Sequence, residues 1–162
     1  MRHAPHLIFW LSLLVALFLQ MVQLPDSLAA VRPLWLPMML AGWSLHEPRV
    51  PTLLAAFLFG IVLDVLFDSV LGQHALCFVI VTFLAIKLRG LFVVVPLWQS
   101  TIALIPAWLA YAFVMFWIDG VAKHASDPWL RWLPAASSTL FWPLVYVLLD
   151  GYLRRRHRRQ DE

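Results

Sequence analysis

Asp64 and Asp68 lie inside the apolar run Leu53–Leu71, and they are the residues of this chain best placed to do chemistry. That run is long enough to cross a bilayer, which takes about 20 apolar residues. A carboxylate at bilayer depth costs roughly 2.5–3.5 kcal/mol on insertion scales, so both acids are expected to face protein or water. Gly60, Asp64, Asp68 and Gly72 recur every four residues, which on a helix draws one slowly drifting stripe. Ala56 extends the stripe, and Ala56–Gly60 is a small-xxx-small step that admits a second helix at close range. Counted from Thr52 at 1.5 Å per residue, Asp64 lies roughly 18 Å in, just past the midplane, and Asp68 roughly 24 Å in, near the far interface. A proton, ion or substrate site would use such carboxylates. A carboxylate hydrogen-bonded within the bundle, or protonated, would use them structurally. The structural reading takes precedence at both positions, more so at Asp68.

The elements that position these acids follow from composition and pattern. The chain has 162 residues, 62% hydrophobic and 13% charged, against about 45–50% apolar in soluble domains. The fold class is all-α integral membrane, with about six transmembrane helices over residues 1–153 in one domain and a basic tail over 154–162. The apolar segments are His6–Leu24, Leu28–Leu45, Thr52–Leu71, Ala75–Ile86, Leu97–Ile118 and Pro134–Leu153. Leu91–Val95 extends the fourth if Lys87 and Arg89 snorkel to the surface. Gly72-Gln73-His74 reads as a linker, and Asp119–Leu133 is the longest connection. The stretch Leu7–Leu19 is longer than a signal-peptide core, and Pro25 and Asp26 separate it from Ser27-Leu28-Ala29, so an uncleaved first helix is expected.

Charge sets the orientation. Six spans put Arg2, Arg49, Lys87, Arg89 and the five arginines of the tail on one side, nine in all, and Arg32, Lys123 and Arg131 on the other. Basic residues accumulate in the cytoplasm, so both termini are expected there. The tail suits anionic lipid before nucleic acid. Trp10, Trp43 and Trp98 fall near the inner interface, whereas Trp108 and Trp142 sit deeper and pack between helices.

Arg32 opens the second helix, with Pro33 in its first turn. It either pairs with Asp68 or Asp64 inside the fold or snorkels to the interface. Asp127 and Pro128 read as the cap and first residue of a short surface helix. Its Trp129, Arg131 and Trp132 suit either partner docking or lipid anchoring. The six histidines are scattered, no pair has metal-ligand spacing on one helix, and catalytic motifs are absent. Cys77 is the lone cysteine. No cofactor, metal or catalytic residue is expected.

Several motifs, in this order and spacing, resemble the rod shape-determining protein MreD family of bacterial inner membranes. They are Leu19-Gln20-Met21, Arg32-Pro33-x-Trp35, Gly60-x-x-x-Asp64, Ser69-x-Leu71-Gly72-x-x-Ala75-Leu76, Leu97-Trp98-Gln99, Phe141-Trp142-Pro143 and the basic tail. Asp64 falls on the family's acidic position; Asp68 matches no family acid. The resemblance implies a non-enzymatic member of the cell-wall elongation complex. Its implied partners are an MreC-like protein and, through it, MreB, RodA and an elongation penicillin-binding transpeptidase. It also implies a fold similar to the substrate-binding subunits of energy-coupling-factor transporters, an analogy that carries no function. The alternatives are a small-molecule or lipid-binding membrane subunit with a cavity beside Asp64 and Arg32, and a proton-coupled transporter using Asp64. A transporter should gather several polar residues within its spans. Asp64, Asp68 and Gln20 are the chief ones here, which favours the scaffold.

Overall fold

The computed structural model describes residues 4–22, 25, 31–92, 97–121 and 130–158, and the regular structure among them is all helical. Six α-helices are present there: α1 (Ala4–Met21), α2 (Trp35–His46), α3 (Thr52–Leu66), α4 (Gln73–Phe92), α5 (Leu97–Val121) and α6 (Leu133–Arg158). A 3-10 turn, Leu130–Trp132, leads into α6. Within them, Gln73–Phe92, Trp98–Val121 and Leu133–Leu153 are long and apolar enough to cross a membrane. The apolar stretches of α1 and α3 are shorter. The 12 residues of α2 make about 18 Å of helix, short of a hydrocarbon core of about 30 Å.

The helix ends differ from the apolar segments for local reasons. Pro33 is not in the first turn of α2, which starts at Trp35. Before that start, the Leu34 N–H donates to Ser138 Oγ of α6 at 2.9 Å, so this stretch is tied across the bundle and not into a helix. Helix α3 stops at Leu66, because Asp68 takes a left-handed conformation with φ 50°. Helix α4 begins at Gln73, inside the expected linker, and runs on to Phe92. Lys87 lies over the Phe83 ring, 5.4 Å from its centroid. Arg89 does not snorkel. Its Nε donates to the Ser44 carbonyl at 2.6 Å, and its Nη2 donates to the same oxygen, which places a cation on the C-terminal turn of α2. Helix α6 continues through Arg158, so the basic run starts on a helix.

Packing centres on α4, which contacts α2, α3 and α5; α6 lies against α5 and α2, and α1 against α2. The α3–α4 crossing is set by Gly60. A Cβ there would sit 2.2 Å from the Ala75 Cα, so any other residue forces the backbones apart. Trp108 and Trp142 are fully buried with centroids 6.0 Å apart, as expected. Trp43, expected near an interface, is fully buried too, because its Nε1–H reaches Ser12 Oγ at 2.8 Å and its ring meets Phe9 edge-on.

The helices alternate in direction. One end gathers the start of α1, the ends of α2 and α4, and the later turns of α6. There His46 Nδ1 donates to the Gly42 carbonyl at 2.8 Å, and its Nε2 lies 3.7 Å from Asp150. The other end gathers the close of α1, α3 and α5 and the starts of α4 and α6, and it holds Asp64.

Candidate functional site

Asp64 occupies the last turn of α3 and is 1% exposed. Its Oδ1 accepts from Ser69 Oγ at 2.9 Å, from the His74 backbone N–H at 2.9 Å and from His74 Nδ1 at 2.8 Å. Its Oδ2 accepts from the Gly72 N–H at 2.8 Å. Gly72 and His74 stand at the N-terminus of α4, where backbone N–H groups have no partner within the helix. The carboxylate thus closes the turn onto the start of α4, at the positive end of its dipole. An acceptor at Oδ1 places the imidazole proton on Nδ1, which leaves Nε2 as the acceptor of the neutral ring.

The backbone supports the same closure. The Ser69 N–H bonds to the Asp64 carbonyl at 3.0 Å, the long-range bond of a Schellman ending, with Asp68 as the left-handed residue. Gly72 also has positive φ, at 94°. The four-residue stripe therefore breaks. Gly60 and Asp64 lie on α3, whereas Asp68 and Gly72 lie in the turn. Asp68 is exposed, and what the turn takes from it is a backbone conformation.

Arg32 pairs with neither acid. Its Nη1 donates to the Gln20 carbonyl at 2.8 Å and its Nη2 to the Val22 carbonyl at 2.7 Å. It is the C-terminal cation of α1, as Arg89 is of α2. Its Nε is buried without a partner.

Arg32 and His74 also line a cavity of about 420 Å³ at this end of the bundle. Gln20 of α1, Gln73 of α4, Tyr111 and Asp119 of α5 and Pro134 of α6 complete most of its wall. The Gln73 amide donates to Asp119 Oδ1 at 2.9 Å and reaches Met115 Sδ at 3.0 Å. Gln20 is 7% exposed, and its Oε1 has no partner. The polar residues that looked sparse along the chain thus converge from four helices and the lead into α2. Gln73, His74 and Asp119 escaped the sequence reading because two lay in an expected linker and the third at the start of the longest expected connection. The signal that could have found them is Gly72 as an N-cap, which makes Gln73 and His74 the first helical residues.

The remaining candidates are less tightly placed. Trp132 sits at the surface of the 3-10 turn, which packs on α5 and α6. Arg131 belongs to the same turn. Trp129, Asp127 and Pro128 lie outside the described residues, as does Arg159 of the tail. Among the described residues no group of three or more His, Cys, Asp or Glu could hold a metal ion.

The Asp64 turn holds a helix pair together, and the cavity is lined by polar side chains that include both signs of charge. Comparison with known proteins gives this geometry its context. The profile of the rod shape-determining protein MreD family matches residues 1–151. The rod shape-determining protein MreD of Haemophilus influenzae is 25% identical over 150 residues, covering 90% of this chain and 93% of that protein. No solved structure matches significantly. With nearly the whole described bundle inside the profile, the chain belongs to the MreD family, and its role lies in rod shape determination.

Proposed function

We propose that this protein is a non-enzymatic inner-membrane component of the cell-wall elongation complex, acting as a scaffold with an MreC-like partner. Through that partner it would meet MreB, RodA and an elongation penicillin-binding transpeptidase. The observation that carries the reading is the family match over residues 1–151, which takes in all but the end of α6. Six helices of alternating direction support a six-span protein with both termini in the cytoplasm, similar in plan to the substrate-binding subunits of energy-coupling-factor transporters. The nine-to-three distribution of basic residues supports the same orientation, and the basic tail would rest on anionic lipid. The Asp64 turn favours this over proton-coupled transport. Its carboxylate is held by four hydrogen bonds within one helix pair, which suits a fixed structural role.

Helices in lipid associate through close packing and a few polar contacts. The Gly60 face is used up inside the bundle by Ala75. Docking is therefore assigned to the segment around Trp129, Arg131 and Trp132 and the adjoining surfaces of α5 and α6. The test is depletion of the protein in its host, with rescue by variants carrying photo-crosslinkers at Trp129, Arg131 and Trp132. Rounded cells that still divide, rescue of rod shape and capture of a single-span partner are the expected results. Normal rods on depletion would overturn the reading. Rescue without capture at any of the three positions would overturn the interface.

A further inference from the structure

Helix α2 has α1 packed on one flank and α6 on another. Between α1 and α6 runs an apolar groove of about 300 Å³, which shares no residue with the polar cavity at the Asp64 end. Its wall passes from Ile8 to Leu19 on α1, from Trp43 to Trp35 on α2 and from Tyr152 to Leu144 on α6, so all three helices follow it lengthwise. On α1 and α6 the lining residues recur at helical spacing, which turns one apolar face of each toward the gap. Val15, Leu144 and Leu148 form a rim that is more than half exposed, whereas Ala16, Val145 and Leu149 are buried. The hydroxyl midway along, Ser12, is committed: it donates to the Phe9 carbonyl and accepts from Trp43 Nε1. The groove therefore takes an apolar occupant.

Its shape decides which one. Ile8 to Leu19 is about 16 Å of helix at 1.5 Å per residue. Spread over that length, about 300 Å³ gives a mean section of roughly 18 Å². That suits one hydrocarbon chain, about 4–5 Å thick at van der Waals contact. A helix with its side chains is about 10–12 Å across. A second copy or a partner's span would insert single side chains and leave most of the groove empty.

Charge sets the other end of the occupant. One mouth lies where α1 starts and α6 runs out, between Ile8 and Tyr152. One turn beyond Tyr152, α6 carries Arg155 and Arg156 at the register that continues Leu148 and Tyr152. The run Arg154–Arg159 holds five arginines and no acid. The start of α1 adds the positive end of a helix dipole. Asp150, the acid nearest in sequence, lies 3.7 Å from His46 Nε2. This mouth attracts an anion.

We propose that the groove between α1 and α6 holds one acyl chain of an anionic phospholipid, with the phosphate at the Arg155–Arg156 mouth. The site shares the membrane setting of the scaffold reading and does not depend on its partner.

The test uses the full chain in nanodiscs of equal phosphatidylglycerol and phosphatidylcholine, with retained lipid read by native mass spectrometry after transfer to detergent. The wild type should keep a phosphatidylglycerol, preferred over phosphatidylcholine by about fivefold, the worth of one arginine near the surface. Val15→Trp combined with Leu148→Trp closes the rim at two exposed positions. It should cut retained lipid at least about fivefold while the unfolding midpoint holds. Arg155→Gln combined with Arg156→Gln leaves the groove open, so lipid should stay bound while the preference falls to about twofold or less. Equal retention of both lipids by the wild type would overturn the proposal. So would full retention after the rim is closed, or an undiminished preference in the double Gln variant. A photo-crosslinker at Leu144 in cells that captures a protein and no lipid would assign the groove to a helix instead. Because lipid is read on the isolated chain, its loss and a failure of rod-shape rescue are separate results.

Discussion

At the Asp64 turn a carboxylate, a hydroxyl, an imidazole and two backbone N–H groups close on one another. Gln20 and Arg32, which line the adjoining cavity with His74, each carry a buried atom with no partner, Oε1 and Nε. The two regions share one end of the bundle and meet at His74. What separates them is reach. Asp64 and its donors lie within ten residues of each other, on two helices that Gly60 allows to touch. The cavity is walled by four helices and the lead into α2; Gln73 bonds Asp119 across two of them, but Gln20 Oε1 and Arg32 Nε find no partner there. A local contact is satisfied by the turn that creates it, whereas a gap between several helix ends can hold unpaired groups. On this view, damage to the turn should cost stability, and damage to the cavity wall should cost less of it.

The largest effect should come from Gly60→Val. The new Cβ meets the backbone of Ala75 at 2.2 Å, and backbone cannot swing aside as a side chain can. Overpacking of this kind costs about 1–3 kcal/mol, occasionally more, and here it also pulls α3 away from α4 and opens every bond of the turn. Unfolding in mild detergent, followed by circular dichroism against denaturant, should show a loss of at least about 3 kcal/mol. A variant as stable as the wild type would mean that the turn does not depend on the helix crossing.

Asp64 should come next. Asp64→Ala leaves the Gly72 and His74 N–H groups and the Ser69 hydroxyl without their acceptor, at about 1–3 kcal/mol for each buried group. Asp64→Asn is the sharper variant. Oδ1 takes three donors and Oδ2 takes the Gly72 N–H, so either placement of the amide sets an NH2 against a donor. The expected loss is about 1–3 kcal/mol in the same unfolding assay, with rod shape failing in proportion to protein level. An Asn variant with full stability and no shape rescue would show that Asp64 carries charge for function, and the contrast between turn and cavity would then fall.

Much of this was legible in the sequence, for identifiable reasons. The number of helices followed from apolar runs separated by polar connections, and the close approach at Gly60 followed from Ala56-xxx-Gly60. The ends were not legible, because each is fixed by a bond across the chain or by a single dihedral. Nothing in Leu34 announces Ser138 as its partner, and Asp68 reads as helix until its φ is known. Arg32 was left between the acids and the interface, and two carbonyls at the end of α1 offered a home that neither reading named. A cavity beside Asp64 and Arg32 was one of the alternatives, but its wall was not legible, for a related reason. Gln20, Gln73 and Asp119 are widely separated in sequence, and hydropathy along the chain cannot bring them together.

The smallest effect should belong to Asp68, and it separates the two acids most cleanly. Its carboxylate is exposed, and the turn asks only for its left-handed backbone. Asparagine tolerates that conformation about as well as aspartate, and glycine adopts it without strain. Asp68→Asn should therefore leave the unfolding midpoint unchanged, and Asp68→Gly should match the wild type or exceed it by up to about 1 kcal/mol. Asp68→Val should lose about 1–2 kcal/mol, since a β-branched residue is poorly suited to positive φ. The ranking Gly at or above Asp and Asn, with Val below, is the signature of a backbone role. A different ranking, in which Asn and Gly both abolish rod shape while the midpoint stays put, would show that the exposed carboxylate meets something outside the bundle. In that case the acid that binds would be Asp68, with Asp64 serving only to hold the turn that presents it.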